Sequence, residues 1–281
     1  MKKTLTLLLA AALALSLTAC GSGQDAATGD DTAQEEKTEL IVFAAASLTE
    51  TLTELGETYM AEHPDVSLVF NFDSSGTLKT QIQEGADVDL FLSAGQKQMD
   101  QLDITADPSV NTEGLDFVLE GTRLDILENK VALAVPEGNP AGIQSYEDLA
   151  AGLEVGTILL AMGNADVPVG QYTQKIFAYF GLDEQALAQA GCITYGSNVK
   201  EVTTQVTEGA VDCGIIYQTD AFSDHLTVVD TATAEMCGQV VYPAAVMKVS
   251  KNPQAAKDFL SYLTSEAGDE VFAEVGFTPI G

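Results

Sequence analysis

The sequence predicts an α/β protein of two lobes, each a mixed, mainly parallel sheet flanked by helices. Three observations carry that expectation. Continuous apolar runs, the mark of strands buried on both faces, alternate with segments of helical periodicity. The alternation comes as two separate series, and 281 residues, at about 100 to 200 per domain, hold two such units.

The elements follow in order. Leu40-Ile41-Val42-Phe43-Ala44-Ala45-Ala46 reads as the first buried strand. Leu48, Leu52, Leu55, Tyr59 and Met60 then form one stripe of an amphipathic helix that ends before Pro64. The unit recurs as a strand over 66–72 with a helix from about Gly76, and as Leu90-Phe91-Leu92 with a helix from about Gln96. A loop-rich stretch leads to a strand over 131–135. The second series runs through a strand over 157–162, a helix bearing Tyr172, Ile176, Phe177 and Phe180, and a strand over 192–195. A helix with Val199, Val202 and Val206 and a strand over 213–217 complete it. Residues 240–249 read as a strand returning to the first lobe, ahead of a helix with Ala256, Phe259, Leu260 and Leu263 on one face. The chain thus crosses between lobes twice, with 39–128 and 243–281 in lobe 1 and 129–242 in lobe 2.

The N-terminus stands apart from this pattern. Lys2 and Lys3 precede a mostly apolar run from Leu5 to Leu17, the layout of an export signal. Leu17-Thr18-Ala19-Cys20-Gly21 resembles the bacterial lipoprotein processing box. That resemblance implies removal of residues 1–19, lipidation of Cys20, and anchorage to the outer face of the cell membrane. Residues 20–38 are polar and aperiodic, as expected of a flexible tether.

Charge and composition exclude several functions. Twelve Lys and Arg against 42 Asp and Glu give a net charge of -30, a field that repels nucleic acid. There are two histidines, His63 and His225, and no GxSxG, HExxH or GxxxxGK[ST] pattern, so common hydrolase, zinc and nucleotide readings lose their support. Nothing points to a cofactor. Cys192, Cys213 and Cys237 show no CxxC spacing; export permits one disulfide among them, and buried thiols are the alternative.

Four β-to-α turns carry small or capping residues, and open α/β sheets bind ligands at such strand ends. Ala46-Ser47-Leu48-Thr49-Glu50 contains an S-x-x-E capping box. Asp73-Ser74-Ser75-Gly76 supplies hydroxyls and a glycine, and Pro168-Val169-Gly170 and Asn198-Val199-Lys200 begin helices. Each turn alone is explained by capping. Several helix starts aimed into one cleft would hold an oxyanion without Lys or Arg.

Taken in order, several of these segments resemble the molybdate-binding proteins, solute receptors of molybdate ABC importers. The resemblance spans about 39–280 and rests on Val42-Phe43-Ala44-Ala45-Ala46-Ser47-Leu48, Ser74-Ser75-Gly76-Thr77-Leu78 and Asp89-Leu90-Phe91-Leu92-Ser93-Ala94. Val167-Pro168-Val169-Gly170, Gly214-Ile215-Ile216-Tyr217 with Asp220-Ala221, Tyr242-Pro243-Ala244-Ala245-Val246 and Gly276-Phe277-Thr278 extend it. It implies a periplasmic-binding-protein-like fold closing over molybdate or tungstate with neutral donors, in a monomer that serves a membrane permease and its ATPase. Carried over, Ser47 gives hydroxyl and N–H, Val169 and Val199 give backbone N–H groups, and Tyr217 gives its phenol. Gly76 stands where some members have a ligand serine; it keeps only a backbone N–H, with Ser75 as the substitute hydroxyl. Asp73 is expected to point away from the anion or to cap its helix.

Two other classes compete. An enzyme with Ser47 or Ser75 as nucleophile lacks a histidine base at any recognisable spacing. A surface lipoprotein that only contacts proteins would leave the turns without a purpose. Sulfate is the alternative cargo.

Overall fold

The computed structural model describes residues 37–280, which fold into two mixed sheets with helices packed on them. The signal, Cys20 and nearly all of the tether lie outside the described residues. Lobe 1 opens with β1 (Thr38–Ala45), a 3-10 turn (Ala46–Leu48), α1 (Thr49–Glu62), β2 (Val66–Asp73), α2 (Ser75–Gln83), β3 (Leu90–Leu92) and a short α3 (Gln96–Asp100). After an irregular stretch, β4 (Leu124–Asn129) hands the chain to β5 (Val131–Val135) of the other sheet. Lobe 2 continues through α4 (Tyr146–Glu154), β6 (Leu160–Gly163), α5 (Pro168–Phe180), α6 (Glu184–Gln189), β7 (Ile193–Gly196) and α7 (Val199–Thr207). It ends with β8 (Cys213–Tyr217), α8 (Gln218–Ser223), β9 (Thr227–Thr231) and α9 (Ala234–Cys237). The chain then returns in β10 (Val240–Val246), α10 (Pro253–Leu263), α11 (Glu266–Glu274) and β11 (Thr278–Pro279).

The strand orders are β11-β4-β10-β3-β1-β2 and β7-β6-β8-β5-β9. β1 runs parallel to β2 and β3, and β6 parallel to β7 and β8, but every pairing of β4, β5 and β10 is antiparallel. The sheets are therefore less parallel than expected. The cause is topological: β5 and β10 enter their sheets from the crossover, so each starts where the parallel strands end. Asn129 closes β4 and Val240 opens β10, both in the six-stranded sheet, so the sheets exchange the chain at Lys130 and at Gly238-Gln239.

The period-2 geometry of a strand explains why lobe 1 needs helices on both faces. Val42, Ala44, Leu90 and Leu92 join the larger core with Leu52, Leu55 and Phe259, whereas Phe43, Phe91 and Ala245 pack on the opposite face with Leu78, Ile82 and Met99. Cys192, Cys213 and Cys237 are buried and unpaired among the described residues, and burial pushes the Cys213 thiol well up. These thiols serve as small core residues. Among the described residues, no helix is long and apolar enough to cross a membrane.

Candidate oxyanion-binding site

The carboxyl ends of six parallel strands face one another across the cleft. From lobe 1, Ala45, Ala46 and Ser47 follow β1, Ser74 and Ser75 follow β2, and Ala94 follows β3. From lobe 2, Val167 and Pro168 follow β6, Val199 follows β7, and Tyr217 closes β8. Together they enclose a cavity of about 10 Å³, the room of one water-sized sphere. Because β1 leads to neighbours on both of its sides, the lobe 1 half sits at a topological switch point, where open sheets bind ligands.

Hydrogen bonds tie the cavity hydroxyls to buried partners. Asn129 donates through Nδ2 to Tyr242 Oη (3.2 Å) and to Thr219 Oγ1 (2.9 Å). Burial, reinforced by the nearby Asp220 carboxyl, raises the Tyr242 phenol well above its ordinary range. Tyr242 therefore keeps its proton and shares a hydrogen bond with Ser47 Oγ, 2.9 Å away, in which either hydroxyl can donate. With the Tyr242 phenol as donor, the Ser47 hydroxyl has its own proton to offer the cavity. Ser75 Oγ likewise accepts the Ala94 N–H at 2.9 Å, which frees its O–H. Tyr217, kept protonated by burial, donates across the cleft to the Ala94 carbonyl at 3.4 Å, a long bond easily exchanged for a better acceptor. Val199 is the first residue of α7, after its N-cap Asn198, and Val169 the second of α5. Their amides belong to first turns, whose N–H groups find no intrahelical acceptor.

Ser47, Ser75, Val199 and Tyr217 are thus brought together, while Gly76 and Val169 do not line the cavity. Gly76 faces the other lobe's backbone, where an added Cβ would lie 2.1 Å from the Asp166 carbonyl oxygen. The hydroxyl of this turn comes from Ser75, one residue earlier. Ser74 is the N-cap of α2, accepting from the Thr77 N–H at 3.2 Å. Asp73 stays outside the cavity, its Oδ1 accepting from the Ser74 N–H (2.7 Å) and from Asn198 Nδ2 (3.5 Å). The expected Ser47–Glu50 capping box does not form. The 3-10 turn moves the start of α1 to Thr49, so Ser47 bonds Tyr242 and Glu50 bonds Lys200 instead. Tyr242, which bonds Ser47, and Asn129 behind it were not among the expected site residues; Tyr242 was signalled by a phenol inside the buried β10, whereas Asn129 ends β4, whose first residues are exposed.

The model of the family described as bacterial extracellular solute-binding protein matches residues 40–278. The chain belongs to this family. Among relatives, the Bacillus subtilis protein named "Putative ABC transporter substrate-binding lipoprotein YvgL" is 31% identical over 99% of both chains. The molybdate-binding protein ModA of Mycobacterium tuberculosis is 32% identical over 96% of this chain and 95% of its own. The periplasmic molybdate-binding protein of Azotobacter vinelandii shares the fold, with a TM-score of 0.72 at 22% identity, covering 86% of this chain and 100% of that one. The similarity to molybdate-binding proteins read from the sequence is therefore real.

One charge lies buried close behind this solute-binding protein's cleft. Asp220, in α8, is 1% exposed and neither carboxyl oxygen accepts a hydrogen bond; Lys200 Nζ stands 3.3 Å from Oδ1 without the alignment of one. Burial pushes Asp220 up to about 7, with Lys200 opposing and Glu50 and Asp224 adding to the rise. In the unfolded chain the carboxyl ionises at about 3.9. Between these values the folded receptor keeps a proton that the unfolded chain has lost. The contribution of Asp220 to stability therefore falls as pH rises from about 4 to about 7, and is level above. Relative to Asp220→Asn, which cannot titrate, the wild type should gain about 2 to 3 kcal/mol between pH 8 and pH 5. Denaturant midpoints of both proteins at the two pH values check this; a difference independent of pH would contradict it.

Proposed function

We propose that this solute-binding protein captures molybdate, and tungstate with it, between its lobes and delivers it to an ABC importer, without catalysing a reaction. On this reading a lipid on Cys20 holds it at the outer face of the membrane, and Ser47, Ser75, Tyr217 and the amide of Val199 bind the anion. One observation carries the proposal: the cavity hydroxyls of Ser47 and Ser75 are held by neutral partners, the Tyr242 phenol and the Ala94 N–H, and no charged side chain lines the cavity. On this reading the Ser47, Ser75 and Tyr217 hydroxyls and the Val199 amide turn their N–H and O–H groups to the guest. Such a site satisfies a fully deprotonated oxyanion and penalises hydrogen phosphate, whose O–H would be forced against donors. The lining comes from both lobes and is buried, so a guest enters by the lobes parting and is held by their closing. The molybdate-binding relatives favour molybdate over sulfate as cargo.

Calorimetric titration of the chain with molybdate, tungstate, sulfate and phosphate in matched buffer tests this. Saturable binding of molybdate and tungstate is expected, with sulfate at least about tenfold weaker, a gap of roughly 1.4 kcal/mol. Sulfate binding as tight as molybdate would keep the oxyanion site and end the assignment of cargo. Failure of all four would end the proposal.

A further inference from the structure

The helix starts that flank the cavity carry a pair of charges with no place among the donors. Glu50 is the second residue of α1, directly after the turn that holds Ser47, and Lys200 is the second residue of α7, directly after Val199. Lys200 Nζ lies 2.9 Å from Glu50 Oε1, across the cleft. Within its own lobe the same ammonium is 3.3 Å from Asp220 Oδ1 and 3.8 Å from Asp224 Oδ2. Of the ion pairs among the described residues, this is the only one that joins the two lobes.

The arrangement is asymmetric in a way that suits a moving part. The Asp220 side chain is 0% exposed and gives Lys200 a fixed seat in lobe 2, whereas the Glu50 side chain, at 48%, is half in solvent. When the lobes part, Glu50 returns to water at little cost, and Lys200 keeps Asp220 and so never becomes a buried charge without a partner. When they close, the pair forms just outside the ring of donors. Glu50, Asp224 and the partly protonated Asp220 surround one ammonium, so the clasp lends the cavity no net positive charge and does not discriminate among anions of equal charge.

We propose that Lys200 and Glu50 form an interlobe clasp that holds the cleft shut over its guest, setting affinity without selecting the anion. This rests on the cleft being the oxyanion site. Both are positioning residues, acting through closure rather than by touching the ligand.

The test uses the full chain in mild detergent, as wild type, Glu50→Gln and Glu50→Lys. Calorimetry with molybdate and with sulfate should show Glu50→Gln weakening both by the same factor, about two- to fivefold, as expected for a partly exposed pair. Glu50→Lys, which sets two ammonium groups against each other, should weaken both by about tenfold. The ratio between the two anions should not move. Unaltered affinity in Glu50→Lys would overturn the clasp, and so would a loss confined to one anion, which would place Glu50 in the cavity. Hydrogen exchange without any anion separates this from the fate of the oxyanion reading. The first-turn amides of α1 and α7 should exchange faster in Glu50→Lys than in wild type, even if no anion binds, and equal rates would again overturn the clasp.

Discussion

Ser47→Ala should weaken molybdate binding by about ten- to a hundredfold. The proposed bond from the Ser47 hydroxyl is to a dianion, and hydrogen bonds to charged groups contribute about 1.5–3 kcal/mol. The substitution also leaves the Tyr242 phenol, buried and fed by Asn129, without its hydroxyl partner at 2.9 Å. Tyr242 would then turn its proton elsewhere and loosen the chain of donors behind the site. Tyr217→Phe should cost less, since its phenol spends its proton on the Ala94 carbonyl at 3.4 Å when no anion takes it. Calorimetry checks both, with thermal unfolding of the anion-free proteins as the control for folding. An affinity for Ser47→Ala within about twofold of wild type would remove Ser47 from the site.

Gly170→Ala should cost more in stability than any other single methyl added near the cleft of lobe 2. Gly170 is the third residue of α5, and a Cβ there would lie 2.2 Å from the Asn164 carbonyl oxygen and 2.4 Å from that of Gly163. Both obstacles are backbone and cannot swing aside. Either the turn after β6 moves or the start of α5 lifts off it, and overpacking of this kind costs about 1–3 kcal/mol, or more where backbone must yield. The melting temperature should fall by about 5–10 °C. Because Val167 and Pro168 sit on the same turn and wall the cavity, molybdate affinity should fall with it. An unchanged melting temperature would mean that the helix start is free to relocate, and that the tight approach is not what places this wall.

Much of the fold was legible because buried parallel strands and amphipathic helices write strong local patterns. The runs at β1, β3, β5 and β8 and the stripes of α1, α5, α7 and α10 fall where hydrophobic periodicity puts them. β4 escaped because Asp125 and Glu128 interrupt its apolar residues, and its pairing with β10 depends on a strand more than a hundred positions away. α4 and α11 begin with ordinary serine caps at Ser145 and Ser265; α4 buries Tyr146, Leu149, Ala150 and Leu153 at i, i+3, i+4 and i+7, a readable stripe that the reading from sequence omits, whereas α11 buries only Gly268 and Phe272. The share of antiparallel pairing was invisible for a similar reason. It follows from which end of a sheet the chain enters, and that is a property of the crossover rather than of any one strand.

The site divides along the same line. By itself the sequence determined the chemistry available: hydroxyls and helix starts at the ends of strands, no histidine base, and a net charge of -30 that leaves any anion to local donors. It also determined the family, through motifs in order. Only the tertiary structure decided which of those groups meet. Ser75 rather than Gly76 lines the cavity, because the helical turn aims one residue inward and sets the next against Asp166. Ser47 and Glu50 look like a cap in sequence, but the 3-10 turn shifts the helix start and releases both, one toward Tyr242 and the other toward Lys200. A capping box is a local interaction worth about 1 kcal/mol, and contacts brought by strands and helices from elsewhere in the chain outweigh it.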